Sequence, residues 1–494
     1  MTEHLRVVII GAGFGGLGAA IRLTRDGVGD LAVLERADDV GGTWRDNSYP
    51  GCACDVPSHL YSYSFAPNPD WSRSFSPQPE IWAYLRRTAD EYGVTPLIRF
   101  GTEVTAAAWD EVTNAWQLTT NRGPLTADVL VSATGPLCEP VIPKLPGLET
   151  FAGTTFHSAR WRHDHDLTGH RVAVIGTGAS AAQFVPAIAP DVAHLDLYQR
   201  TPPWVMPRGD RPLSERMRRL YRTVPGLQRL ARAGIYASRE AFFYNFRAAK
   251  RGRLGERIAL RHLRRQVPDP ALRAKLTPDY AMGCKRVLLS DDYFPSLGQP
   301  NVSLVTAAIQ EVRPQAVVTA DGTEHPADTI IFGTGFHVTD MPVMDRVHGR
   351  DGLSLAHAWT PTMHAHRGTT VPGFPNLFVL LGPNTGLGHT SVVLMIESQL
   401  RHVLDVLTYQ RKRGIAALEP TDDAQRRWTE RVDRRMAGTV WAQGGCVSWY
   451  LDATGRNSTL WPGFATGFRL RLRRFRPDDY AVIGTRREAP VVTS

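Results

Sequence analysis

Short runs of β-forming apolar residues alternate along this chain with glycine turns and longer mixed segments, the order expected of an α/β protein. Residues 7–10 (VVII) predict a first strand opening straight into GAGFGG, and residues 31–35 (LAVLE) predict a second that ends at Glu35. From residue 100 to 135 apolar and polar positions alternate, the period of half-buried strands, and the stretch closes with ADVLVSATG. The opening then recurs: residues 172–175 (VAVI) run into GTGASA, LDLYQR follows, and ADTIIFGTG closes the second series. Between residues 208 and about 274 the pattern turns helix-forming, rich in Arg and studded with aromatic residues. NLFVLLGPNTGLGHTS, from residue 376, reads as a buried strand, a glycine-rich loop and the start of a helix. The tail after Pro477 is expected to be loosely ordered.

These elements form an internal repeat. Gly176 stands 165 positions after Gly11, and ADTIIFGTG stands 200 after ADVLVSATG, so the second copy carries about 35 extra residues. Each copy has a glycine-rich turn between strand and helix: Gly11, Gly13 and Gly16 in the first, Gly176, Gly178 and Ala181 in the second, with Thr177, Ala179 and Ser180 completing the latter. Such turns seat a dinucleotide pyrophosphate on a helix N-terminus, where free N–H groups and the helix dipole favour an anion. Glu35, 24 positions after Gly11, is placed to accept hydrogen bonds from both hydroxyls of an unphosphorylated ribose. The second copy ends its corresponding strand in Arg200-Thr201 instead. A cation and a hydroxyl there suit a ribose 2′-phosphate; an exposed strand-end arginine is the plainer alternative.

Composition narrows the class. At 494 residues, 43% hydrophobic and 21% charged, the chain has the makeup of a soluble globular protein of about three domains. No apolar run approaches the roughly 20 residues that span a bilayer, so no integral membrane segment is expected. MTEHLR leads directly into the first strand without a signal peptide, and five cysteines give no disulfide framework; both point to the cytoplasm. No Cys/His cluster has metal-ligand spacing, so no metal is expected. The net charge of +9 gathers between residues 208 and 275 and in FRLRLRRFR near the C-terminus, without any nucleic-acid motif; it is read as solvated surface, and nucleic acid is not an expected partner.

Two further motifs give the chain a family likeness. Phe151, Gly153, His157 and Trp161 fit F-x-G-x-x-x-H-x-x-x-W just before the second glycine turn, although Arg162 stands where Pro or Asp would follow. Gly42, Trp44, Tyr49, Pro50, Gly51 and Asp55 fit G-x-W-x-x-x-x-Y-P-G-x-x-x-D. Together these resemble the fingerprints of the Baeyer–Villiger monooxygenases, FAD- and NADPH-dependent flavoproteins. The resemblance implies an α/β fold of two Rossmann-like domains, the NADPH domain inserted in the FAD domain, plus a helical subdomain. Residues 1–150 and 331–494 would form the FAD domain and C-terminal loop, 151–207 and 278–330 the NADPH domain, and 208–277 the helical part.

The resemblance also implies residue roles. Thr43, Trp44 and Tyr61 would line the flavin, and Asp55 would face the reaction site and orient Arg286. Arg200 and Thr201, with Lys285, would hold the 2′-phosphate, and Trp449 would close over NADPH from a mobile loop. Arg286 would supply the fixed cation that developing negative oxygen requires, and His157 would couple the domains. The implied reaction uses NADPH and dioxygen to insert oxygen beside the carbonyl of a small-molecule ketone, giving an ester or lactone. Three alternatives stand beside it: a flavin monooxygenase acting on nitrogen or sulfur, a dithiol reductase, and a non-enzymatic flavin-binding protein. The reductase is disfavoured because Cys52 and Cys54 are too close together for its redox disulfide.

Overall fold

The structure, a computed structural model, describes residues 2–247 and 252–485. Strand β1 (Glu3–Ile10) leads through helix α1 (Phe14–Arg25) into the parallel strand β2 (Leu31–Leu34). Strand β3 (Gly123–Ser132) runs parallel to β1 on its other side, with Val131 opposite Ile9. Val104–Asp110 and Ala115–Thr120 continue the sheet as an antiparallel meander, the half-buried strands expected from the alternating pattern. β2 is buried along its whole length, as a parallel strand covered on both faces must be.

The second copy repeats this plan. β4 (Arg171–Ile175), α2 (Ala181–Ile188) and β5 (His194–Tyr198) follow the order of β1, α1 and β2, again with the strands parallel. β6 (Thr329–Phe332) takes the place of β3, with Ile331 opposite Val174 of β4. Even the close contact at the glycine turn recurs. A Cβ on Gly11 (φ +99°) would lie 2.8 Å from the carbonyl oxygen of Ala133, just past β3; one on Gly176 (φ +111°) would lie 2.5 Å from that of Gly333, just past β6. The repeat is therefore two Rossmann-like units. In sequence the second lies inside the first, whose sheet is completed by Leu377–Val379 against β3.

The extra length of the second copy folds as helices: Glu215–Thr223, α3 (Leu227–Phe242), Arg253–Gln266 and Pro270–Lys275. Two of the aromatic residues that follow α3 are buried, whereas Tyr244 between them is exposed. Phe243 and Phe246 pack with Trp204, Cys284, Trp441 and Tyr450 in one buried cluster, so this part closes onto the C-terminal region.

Two expectations are corrected. The chain past Pro477 is not loose: Tyr480–Thr485 pairs antiparallel with Ile415–Pro420, and the Tyr480 hydroxyl lies 2.8 Å from His402 Nε2 and 3.1 Å from Thr370 Oγ1. Residues 486–494 of the same tail lie outside the described residues. The cysteines are not all free: Cys284 and Cys446 form a disulfide across 162 positions. Counting cysteines could not reveal that pair, because its two segments meet only through the cluster just described. Cys52 and Cys54 are buried free thiols, Cys52 pushed up to about 12 chiefly by burial. Among the described residues, no helix is long and apolar enough to cross a membrane, and no group of His, Cys, Asp and Glu could hold a metal ion.

Candidate active site

The first glycine turn is built for close approach. A Cβ on Gly16 would fall 1.7 Å from the carbonyl oxygen of Gly11, so only glycine lets α1 sit this near β1. Gly13 caps α1 without a side-chain hydrogen bond, and no acidic residue occupies the first turn, which leaves the helix N-terminus open to an anion. Glu35 stands at this turn: its Oε2 accepts from the Ala12 N–H (2.8 Å), and its Oε1 accepts from the Ala37 N–H (3.0 Å) and Arg45 Nη1 (3.0 Å). The segment starting at Gly41 folds back on the same turn, with Gly42 Cα 3.7 Å from where a Gly13 Cβ would be. Thr43 and Trp44 begin a short helix there, and Trp44 Nε1 donates to the Tyr61 hydroxyl (3.0 Å). Thr43, Trp44 and Tyr61 thus stand beside the first turn.

At the second turn Gly178 and Ala179 are exposed, and a Cβ on Gly178 would find no protein atom nearer than 3.9 Å. Ser180 precedes α2, and the Thr177 hydroxyl donates to the Thr201 carbonyl (3.4 Å). Arg200 is exposed at the end of β5. Lys285 joins it from a distant part of the chain: burial, then the neighbouring Arg200 charge, lowers the Lys285 ammonium from its ordinary value. Two cations stand close together at the end of β5.

Asp55 and Arg286 meet across 231 positions. Asp55 Oδ2 accepts from Arg286 Nε (2.8 Å) and Nη2 (2.5 Å), and about a quarter of each side chain stays open to solvent. The Asp55 carboxylate raises the Arg286 guanidinium further above its ordinary range. The buried Tyr450 stands beside the pair; burial pushes its phenol up to about 12, with Arg286 opposing. Trp449, 43% exposed, lies with its ring 4.4 Å from that of Tyr450. Tyr450 was not foreseen from the sequence, although its adjacency to Trp449 was the available signal. The structure thus joins Asp55 with Arg286, Arg200 with Lys285, and Trp449 with this centre through Tyr450.

His157 lies apart from that ion pair. It is buried, its Nδ1 accepts from the Ala159 N–H (3.1 Å), and burial lowers its imidazole to about 4, so it stays neutral. Nearby, Trp161 packs between Phe156 and Phe184, tying the strand before β4 to α2.

Comparison with known proteins shows what the whole chain is similar to. A family profile described as "FMO-like: Flavin-binding monooxygenase-like" matches residues 4–213. A Baeyer-Villiger monooxygenase of Streptomyces coelicolor is 56% identical over 484 residues, covering 97% of this chain and 93% of the relative. The crystal structure of cyclohexanone monooxygenase from Rhodococcus sp. Phi1 bound to NADP+ superposes with a TM-score of 0.87 at 29% identity, covering 98% of this chain and 99% of that one. The crystal structure of the OTEMO complex with FAD and NADP gives a TM-score of 0.85 at 32% identity, covering 96% and 97%.

Proposed function

Because the chain belongs to the Baeyer–Villiger monooxygenases, we propose that it binds FAD and NADPH and uses dioxygen to convert a small-molecule ketone into an ester or lactone. The residues present fit both cofactors. The open N-terminus of α1 and the close approach at Gly16 suit the FAD pyrophosphate, with Gly11, Gly13 and Glu35 on its adenosine side and Thr43, Trp44 and Tyr61 towards its ring. Gly176, Thr177, Gly178, Ala179 and Ser180 suit the NADPH pyrophosphate, and Arg200, Thr201 and Lys285 suit its 2′-phosphate. When bound, FAD supplies the redox chemistry and the activation of dioxygen, with NADPH as the source of electrons.

The observation that carries the reading is the Asp55–Arg286 pair. Ketone oxygenation develops negative charge on oxygen, and a guanidinium already aimed at the reacting region stabilises it without reorganising. Arg286 is held by two hydrogen bonds from one side, which fixes its plane and leaves the remaining donors for the reacting oxygen. Asp55 keeps this cation oriented, and Tyr450 walls it on a second side. Trp449 would cover the nicotinamide of bound NADPH and keep water from it.

Arg286→Ala tests this. The variant should fold and retain FAD, while ester formation falls by at least about 10²–10³, the usual loss for one preorganised anion-stabilising group. Product analysis by mass against a panel of ketones is the measurement. Ester formation at near wild-type rates would place another residue at the centre of the reaction.

A further inference from the structure

Helix α3 carries a cation that the chemistry above leaves unused. Gln228, Arg232 and Arg239 fall on one stripe of α3, at spacings of four and seven residues. Gln228 Nε2 donates to the Asn68 carbonyl (2.6 Å), and Arg232 donates to the carbonyls of Ser62 (3.0 Å) and His59 (2.8 Å). The stripe therefore climbs back along the loop toward Asp55. Arg239, two turns beyond Arg232, lies within electrostatic reach of the Asp55 carboxylate and of Cys54, whose thiol burial keeps neutral.

The neighbouring position is fixed as firmly. Glu240 accepts from the Ala465 N–H (2.9 Å) and the Thr466 N–H (3.1 Å), and its Oε1 lies 3.1 Å from His389 Nε2. The backbone that presents Arg239 is thus held on both sides. Yet Arg239, half-buried, makes no hydrogen bond or ion pair among the described residues, and both hydrogen bonds to Asp55 come from Arg286. A guanidinium held partly out of water without a bonded partner is unfavourable, and such groups persist where an incoming ligand supplies the partner. Both dinucleotides have cradles of their own, and none of α3's hydrogen bonds among the described residues reaches either glycine turn.

We propose that Arg239 is a specificity-determining residue that binds the carboxylate of the ketone while Arg286 faces its carbonyl, so that the substrate class is keto carboxylic acids. This rests on the ketone chemistry proposed above. The planar fork of donors matches a carboxylate in two parallel hydrogen bonds, and that match sets the distance between the bound acid and the reacting carbonyl.

The test compares an oxocyclohexane carboxylate with its methyl ester, which keeps ring and carbonyl and removes the charge. The FAD-loaded enzyme should favour the acid by about 10–100-fold in kcat/KM, expressed in KM, the range of one charge-assisted hydrogen bond. Arg239→Gln should bring the ratio close to one with kcat on the acid near that of wild type, and Arg239→Lys should restore part of it. Calorimetric binding of the two compounds to the oxidised, FAD-loaded enzyme should show the same discrimination without turnover. Wild-type enzyme that binds acid and ester alike, or an Arg239→Gln variant that keeps the full preference, overturns the assignment. Preferential binding of the acid with no lactone from either compound supports Arg239 as the carboxylate site and sinks the proposed reaction instead.

Discussion

Gly16 and Gly178 occupy related turns, yet their reasons for being glycine differ. A methyl group at Gly16 collides with the backbone of Gly11, whereas one at Gly178 meets nothing within 3.9 Å. Gly16→Ala must therefore push α1 off β1, which should cost about 1–3 kcal/mol and release FAD. Gly178→Ala should hold its stability within about 1 kcal/mol of wild type, since its backbone already suits alanine. Its KM for NADPH should nevertheless rise, because the methyl stands where a pyrophosphate has to approach. Thermal melts and FAD absorbance check the first variant, and NADPH titration of a normally melting enzyme checks the second; an unchanged KM would remove the second turn from the NADPH site. Both glycines were legible in the sequence, because the turn needs them at fixed spacing. Arg239 and Tyr450 were not: what distinguishes them is the Asp55–Arg286 pair beside them, assembled from segments more than two hundred residues apart.

Among the elements, the loop carrying Trp449 is held at two points. The Cys284–Cys446 bridge ties its start to the residue next to Lys285, and the buried Tyr450 anchors it beside Arg286. Trp449, by contrast, is 43% exposed and supports little of the core. Trp449→Ala should thus lower the melting temperature by no more than about 2–4 °C, the response to about 1 kcal/mol in a large domain, while raising KM for NADPH several-fold. A collapsed melting temperature with unchanged KM would make Trp449 a packing residue. The family resemblance pointed to the loop itself, but its tether was not legible in the sequence. The C-terminal strand escaped notice for a similar reason. YAVIGT is a short β-forming run whose partner strand, Ile415–Pro420, precedes it by some sixty residues, with nothing local to announce the pairing.

At the scale of the molecule, one fold is used twice, and the copies part company where the second strand ends. β2 leads into buried Glu35, bonded to the backbone of its own glycine turn; β5 leads to exposed Arg200, with Lys285 beside it. Because the pairing of strands around each turn is the same, the cofactor preference proposed for each half is assigned to these end residues and not to the fold. The repeat was the most legible feature of the sequence for that reason: strand, glycine turn and third strand must recur at matching places for the same close contact to form twice. An acid in the second copy would repel a 2′-phosphate, whereas a cation attracts it and is indifferent to a bare hydroxyl. Arg200→Ala should accordingly raise KM for NADPH by about 10–100-fold, the loss of one charge-assisted contact, and leave KM for NADH within about twofold. Lys285 would retain part of the preference, so the double variant with Lys285→Ala should approach equal use of the two nucleotides. Steady-state kinetics with both cofactors decides the matter: equal losses for NADPH and NADH would mean that Arg200 shapes the domain as a whole and does not read the phosphate.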